Sequence, residues 1–425
     1  SQQLDSLQTP LNSVIKSVIS SMVITINEKR KRRILLHDRT GVPFTIQLGR
    51  ELALRGHNVL YSYGAFFQSP KGNLAPQKTD PQNLQITPMY LSKPFQKYSF
   101  IRRRFQEMEY ARDLVNQIKN YKPDVLIITG SHLDAMTVVY KECRRQKLKI
   151  IFWVQDIYGV AIKRILQKRL RIIGSLIGDY YIWQEKRLLR QSDEIILITE
   201  DFVDLMVKWG VESEKCHVIR NWTPLEELPL RERDNPWSRT HNLNDKFCFL
   251  YAGTLGLKHN PELLLQLALR FRTNPTVRVV VISEGLGADW LQEKRHEYQL
   301  ENLQLLKFQP FEEMPNVLAA ADVLVGILEP DAGIYSAPSK VLTYLCAKRP
   351  LLLAIPPENL SAKIVSENEA GLVVPPLEME TFLAAADQLL EDAPLRERLA
   401  ANARTYAEKT FDIQSICDRF EAIIS

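Results

Sequence analysis

The 425-residue chain carries 55 lysines and arginines against 50 aspartates and glutamates, a formal net charge of +5, with 45% hydrophobic and 25% charged residues. That length exceeds what one hydrophobic core usually organises, so two domains are expected, and the absence of any long Gly/Ser-rich, Pro-rich or low-complexity stretch allows a packed core throughout. So small a positive balance, with no recognisable RNA or DNA module, argues against a dedicated nucleic-acid binder.

Residues 11–25 (LNSVIKSVISSMVIT) form a short apolar helix pattern followed by the basic run 29–33. It reads either as an interfacial anchor or as a packed N-terminal helix. No run approaches the roughly 18 to 20 apolar residues needed to span a bilayer, and no secretory signal pattern is present, so a cytoplasmic chain is expected. The cysteines, Cys143, Cys216, Cys248, Cys346 and Cys417, show no C-x-x-C pair or metal-ligand spacing and read as reduced, buried thiols.

From residue 33 short apolar runs alternate with longer amphipathic stretches, the mark of βαβ units around a parallel sheet. Strands are expected at 34–37, 58–63, 124–129, 149–154 and 194–199, with helices at 43–55, 102–119 and 134–146 between them. Residues 223–246 contain three prolines and no periodic apolar face, and read as a linker. A second series follows, with strands at 247–253, 277–285, 303–308, 322–328, 350–355 and 371–375. Helices are expected at 261–270, 288–298, 314–321, 340–347 and from 379 onward. Two doubly wound halves facing across a cleft are thus expected, with ligands beyond the carboxyl ends of the strands.

Three segments after strands could carry chemistry. His37-Asp38-Arg39-Thr40-Gly41-Val42-Pro43 places a glycine where backbone amides can approach a phosphate at a helix N-terminus. A tight turn with Pro at the first helical position explains it equally well. Gly253-Thr254-Leu255-Gly256-Leu257-Lys258 ends with a lysine that can neutralise a departing diphosphate, or simply face solvent. Gly333 to Lys340 (GIYSAPSK) offers an anion cradle of amides and hydroxyls, or a capped loop.

These segments occur together and in order with LALRGHNV, FWVQDIY, SDEIILITEDF, VIRNW, LYAGTLGLKHNPELLLQLA, LAAADVLVGIL and APSKVLTYLCAKRPLLLA. In this combination the chain resembles the GT-B glycosyltransferases of family 4, on the branch similar to colanic-acid and other exopolysaccharide glycosyltransferases. The resemblance implies a GT-B α/β architecture of two Rossmann-like domains. An acceptor-binding domain would span 1–222, a nucleotide-sugar-binding domain 247–410, and a final helix, 411–425, would pack back on the first. It implies a hexosyltransferase acting with retention, with a nucleotide-sugar as co-substrate and no metal or other cofactor. Lys258 and Asp156 would serve the reaction. Gly41, Gly253, Thr254, Lys258, Glu284, Phe308, Gln309, Gly333, Tyr335, Ser336, Ala337, Ser339, Lys340 and Thr343 would line the donor site, with the segment from Phe308 bordering the base. A helix N-cap remains the alternative reading of Asp156.

The chain departs from the family pattern at Tyr335 and Thr343, where many members carry glutamates, and at Thr254, where an arginine is common. Lys258 is thereby expected to carry more of the charge, with Glu329 and Asp331 as substitutes for the glutamates. Residues 161–191 and 93–104 mix Lys and Arg with Ile, Leu, Phe, Tyr and Trp. The first reads as a basic amphipathic helix and the second as a basic-aromatic patch on the same domain, suited to an anionic inner leaflet and a lipid-linked acceptor, or each as a solvated face. Two rivals remain open: a nucleotide-sugar epimerase of the same fold, and a catalytically weakened binding or scaffold subunit.

Overall fold

The computed structural model describes residues 31–66, 71–94, 100–130, 132–256, 259–330 and 339–425. The segments 11–25 and 29–30, part of 93–104, and the stretches around Lys258 and Tyr335 lie outside them. Two all-parallel sheets form. The first joins β1 (Arg33–Asp38), β2 (Asn58–Gly64), β3 (Leu84–Met89), β4 (Val125–Thr129), β5 (Lys149–Val154), β6 (Glu194–Leu197) and β7 (Cys216–Val218) in the order β3-β2-β1-β4-β5-β6-β7. The second joins β8 (Phe247–Ala252), β9 (Val277–Ile282), β10 (Leu303–Leu306), β11 (Val323–Ile327), β12 (Leu351–Ala354) and β13 (Gly371–Val374) in the order β10-β9-β8-β11-β12-β13. The central strands β4, β11 and β12 are buried at every residue. Helices cover both faces of a parallel sheet, so such strands are apolar runs without alternation.

The helices are α1 (Pro43–Leu54), α2 (Phe100–Tyr121), α3 (Leu133–Gln146), α4 (Tyr158–Gln191), α5 (Asp201–Lys208), α6 (Pro236–Thr240), α7 (Glu262–Arg270), α8 (Leu286–Glu297), α9 (Met314–Ala319), α10 (Ser339–Cys346), α11 (Leu360–Glu367), α12 (Met379–Glu391), α13 (Ala393–Thr410) and α14 (Ile413–Ile424). This is the GT-B arrangement of two doubly wound halves. The described cysteines are all free, and four of the five are buried.

Three features differ from the sequence expectation. β3 and β7 went unrecognised: alternating polar residues and Pro88 break the apolar run of β3, and β7 is only three residues long; both are edge strands, paired only with β2 and β6 respectively, and an edge is where a proline such as Pro88 is tolerated. Residues 223–246 pack instead of running free: Leu228, Trp237 and Leu243 are buried, and Asn235 and Ser238 cap α6 reciprocally. Arg233 meets Asp322 at 3.0 Å, the carboxylate that also accepts from Cys248 N at 2.8 Å. Apolar residues buried one at a time leave no period for a sequence reading to find.

The third difference is α4. A straight helix of 34 residues would extend about 50 Å, yet Lys163 meets Asp179 at 2.5 Å and Gln167 meets Ser175 at 3.2 Å. Residues 158–167 and 174–185 are therefore antiparallel arms of a helical hairpin, not the continuous amphipathic helix expected. Glycines permit the close approach: a Cβ at Gly178 would lie 2.6 Å from Lys163 Cβ, and one at Gly159 would lie 2.9 Å from Ile182 Cα.

α14 lies on the first sheet although it ends the chain. Phe420 packs edge-on against Trp153 at 4.9 Å, and Trp153 stacks on Trp222 at 5.7 Å. Arg55 reaches Glu421 at 2.9 Å and Asp418 at 2.5 Å, and Lys149 donates to Ile423 O at 2.6 Å.

Candidate active site

In each sheet the chain reverses its winding at one place, between β1 and β4 and between β8 and β11. Loops on either side of such a switch point part at the carboxyl ends of the strands and leave a crevice. In the first half Asp38 closes β1. Only 2% exposed, it accepts from Val42 N at 2.7 Å, Thr40 N at 3.0 Å and Thr45 Oγ1 at 2.6 Å. These bonds fix the turn into α1, whose first residue is Pro43. Gly41 stands in that turn at φ +75°, where a Cβ would come within 2.9 Å of Leu74 Cδ1; glycine alone fits without strain. Lys71 donates to Thr40 O at 3.0 Å and places an ammonium beside the same turn.

Next to it lie the ends of β4 and β5. His132 Nδ1 is 3.0 Å from Glu107 Oε1, and Arg103 Nε holds the same oxygen at 2.7 Å. Burial, helped by the Arg39 and Arg103 guanidiniums, pulls the His132 pKa far down, so the imidazole is neutral at pH 7. Asp156 follows β5 in a half-buried position; burial raises its pKa, and Arg39 partly opposes this. Glu185 lies 1% exposed at the base of the hairpin and accepts from Tyr158 N at 2.9 Å and Gly159 N at 2.8 Å. Burial raises its pKa to about 7, against the two amides that lower it; Asp156 pushes it further up.

In the second half β8 ends at Ala252, and Gly253 follows at φ +148°. Its missing side chain leaves room for Lys340, whose Nζ is 3.0 Å from where a Cβ would stand. That ammonium donates to Tyr251 Oη at 2.6 Å and lies 4.3 Å over the same ring. Burial lowers its pKa to about 8, with Glu329 pulling the other way. Tyr251 Oη donates in turn to Thr254 O at 2.8 Å. His259 Nδ1 accepts from Gly256 N at 2.8 Å, and its Nε2 lies 3.1 Å from Glu329 Oε2.

The structure thus groups Gly253, Thr254 and Lys340 at the end of β8. Ser339 is exposed at the first position of α10, and Thr343 Oγ1 lies 3.4 Å from Ser339 O one turn later. Glu284 is exposed after β9 and Phe308, 49% exposed, follows β10, so both stand on strand ends in line with Gly253. Gln309 is occupied within the fold: its Oε1 accepts from Trp237 Nε1 at 3.0 Å. Gly41 and Asp156 belong to the other half. Lys258, Asp331, Gly333, Tyr335, Ser336 and Ala337 lie outside the described residues. Glu329, expected as a substitute sugar contact, is engaged by His259.

The halves meet beside this row. Lys363 of α11 pairs with Asp201 of α5 at 2.8 Å, and a cavity is lined by Ile198, Arg220 and Asn221 from one half and Leu342, Leu360, Ser361 and Ile364 from the other. Sequence reading missed Lys71, Glu107, His132 and Glu185. None sits in a glycine-rich or strand-end signature except His132, whose place just beyond β4 was the available signal.

Comparison with known proteins points the same way. The model of the Glycosyltransferase Family 4 family matches residues 42–227, and that of the glycosyl transferases group 1 family matches residues 234–406. The chain is 22% identical over 240 residues to a protein of Escherichia coli (strain K12) named for colanic acid biosynthesis glycosyl transferase WcaI, covering 56% of this chain and 58% of that one. It is 22% identical over 254 residues to alpha-D-kanosaminyltransferase of Streptomyces kanamyceticus, covering 57% of this chain and 62% of that one. The aligned region therefore spans about six tenths of these two relatives. Anabaena Alr3699/HepE, solved in complex with UDP, superposes with a TM-score of 0.67 at 14% identity, covering 92% of this chain and 99% of that one.

Proposed function

Because the chain belongs to the GT-B glycosyltransferases of the family 4 type, we propose that it transfers a hexosyl group from a nucleotide-sugar donor to a lipid-linked or polysaccharide-precursor acceptor. The observation that carries this reading is the Lys340 ammonium. It is buried against Tyr251 beside the open backbone of Gly253, in the first turn of α10, where the helix dipole also favours an anion. A diphosphate there gains a cation, a helix N-terminus and a glycine turn at one point, the grouping that stabilises charge developing on a leaving group.

Lys340 thereby answers the departure at Thr254, where the family pattern has an arginine. With Lys258 it neutralises the leaving diphosphate without a metal ion. Transfer proceeds with retention: the bond from the sugar's anomeric carbon to phosphate breaks, the acceptor oxygen bonds to that carbon on the same face, and its proton passes to a phosphate oxygen. Asp156 and the Gly41 turn, with Lys71 behind it, face the reacting sugar from the first half. The relative solved with UDP makes a UDP-sugar the first donor to test. The protein works as a peripheral protein on the inner face of a membrane.

Thermal shift with UDP-, GDP-, ADP- and TDP-sugars on wild type, Lys340→Ala and Lys258→Ala tests the donor site; stabilisation by one nucleotide series, lost in both variants, is expected. No response to any donor refutes it and favours a scaffold. Donor consumption that yields free epimer without an acceptor favours an epimerase.

A further inference from the structure

The hairpin of α4 leaves the first half at the end of β5 and carries an apolar tip that no described residue covers. Ile165 on one arm, Ile172 and Ile173 between the arms and Leu176 on the other are 56%, 78%, 64% and 66% exposed. Residues 161–178 contain five lysines and arginines (Lys163, Arg164, Lys168, Arg169 and Arg171) and no acidic residue. Toward the base, Tyr180 and Trp183 are 46% and 54% exposed and stack on each other, and Arg187 lies 5.7 Å from the Trp183 ring centroid. Leu176 and Trp183 are seven residues apart on one arm, about 10 Å along its axis.

An aliphatic tip, a segment rich in lysine and arginine and a tryptophan–tyrosine band about 10 Å behind the tip match the chemistry met on entering a bilayer: acyl chains, anionic headgroups and interface. We propose that this hairpin is a membrane-inserting element that seats the protein on an anionic lipid surface, with Ile172, Ile173 and Leu176 in the acyl region. A second copy of the chain is a poorer occupant, since two tips each carrying a net positive charge, even with Lys163 paired to Asp179, would repel. Lipids of opposite charge have no such cost.

The base of the hairpin is the edge of the cleft. Glu185 on the second arm binds the amides of Tyr158 and Gly159, two and three residues after Asp156. From Glu185 to Ile172 is thirteen residues, about 20 Å. A seated tip therefore holds the first half of the cleft within reach of a headgroup at the membrane surface. This deepens the acceptor reading above and partly rests on it, but its test needs neither donor nor acceptor.

The full chain is sedimented with vesicles of phosphatidylcholine alone and of phosphatidylcholine mixed with phosphatidylglycerol. Binding to the anionic vesicles, weakened by salt, is expected, with quenching of tryptophan fluorescence by lipids brominated in their acyl chains. The quenching should fall in Trp183→Phe. The exposed double substitution Ile173→Asp and Leu176→Asp should lower partitioning at least tenfold, and removing a single tip charge, as in Arg164→Gln, about fivefold. Donor-induced thermal shift, measured on the same double variant, should be unchanged, which separates failure here from failure of the donor site. No binding of wild type to anionic vesicles at low salt, or equal binding by the double variant, overturns the proposal. A dimer in solution that the double variant abolishes, without vesicle binding, assigns the face to a second copy instead.

Discussion

Replacing Lys340 with methionine should act on donor binding and on stability in opposite directions. The ammonium is buried and its pKa is lowered from 10.5 to about 8, chiefly by that burial. The folded state therefore releases this proton at lower pH than the unfolded chain does, and below about 8 it keeps the charge at a cost. At about 1.4 kcal/mol per unit, 2.5 units amount to up to about 3 kcal/mol at pH 7, which an uncharged side chain of similar length recovers. The hydroxyl of Tyr251 keeps Thr254 O as its acceptor, so no donor is stranded. The donor-free variant should melt higher than wild type, on the order of 5 °C.

Donor binding should fall. An ammonium about 5 Å from a diphosphate charge contributes ~3 kcal/mol at an effective dielectric of 20, so roughly 100-fold in Kd is lost at pH 7. Wild type should lose about tenfold in affinity between pH 7 and 9 as Lys340 goes from about nine tenths to one tenth protonated, and the variant should not. Isothermal titration with the nucleoside diphosphate selected by the donor panel, at both pH values, reads all of this. Unchanged affinity in the variant, or the same fall toward pH 9, refutes the assignment of Lys340 to the diphosphate.

Glu185 has its pKa raised from 4.5 to about 7, so its contribution to stability is present below about 4.5 and lost as pH rises through about 7. The Tm difference between Glu185→Gln and wild type should move in the variant's favour by the equivalent of ~3 kcal/mol from pH 5 to pH 8; a flat difference refutes the burial argument. Phe420→Ala opens a cavity against Trp153 and Trp222 and should cost about 3 to 5 kcal/mol in urea unfolding, with earlier proteolysis at α14; a loss under 1 kcal/mol refutes the anchoring role. Asp38→Asn turns an amide toward donors that Asp38 now accepts from and should cost on the order of 3 kcal/mol, together with donor affinity, by the same thermal assay.

Most strands of both sheets were legible because a strand covered by helices on both faces must be apolar end to end, as ILLH and VLVGI are. Glycine after β1 and after β8, proline at the start of α1 and the order of βα units fixed where a crevice would open, since these are local backbone requirements. The residues that give the crevice its charge were less legible. Lys340 entered the expected donor set only through the family resemblance; by its own position it looks like an ordinary lysine at a helix start. Only the fold of β8 against α10 places it over Tyr251, next to Gly253, and strips its water. Lys71, His132, Glu107 and Glu185 reach the first half's edge from loops and helices distant in the chain, so no spacing records their meeting.

The hairpin shows the same division from the other side. Its composition, basic and apolar with aromatics, was plain in the sequence, and so was its helical character. That the segment doubles back was decided by packing, because Gly159, Gly174 and Gly178 matter only when a second arm lies against them. The sequence alone determined the strands, their order along the chain and the glycine turns, which depend on neighbours within a few residues. Tertiary structure decided which charges lose their water and which apolar residues keep it, since burial is a property of partners that the chain brings together from far apart.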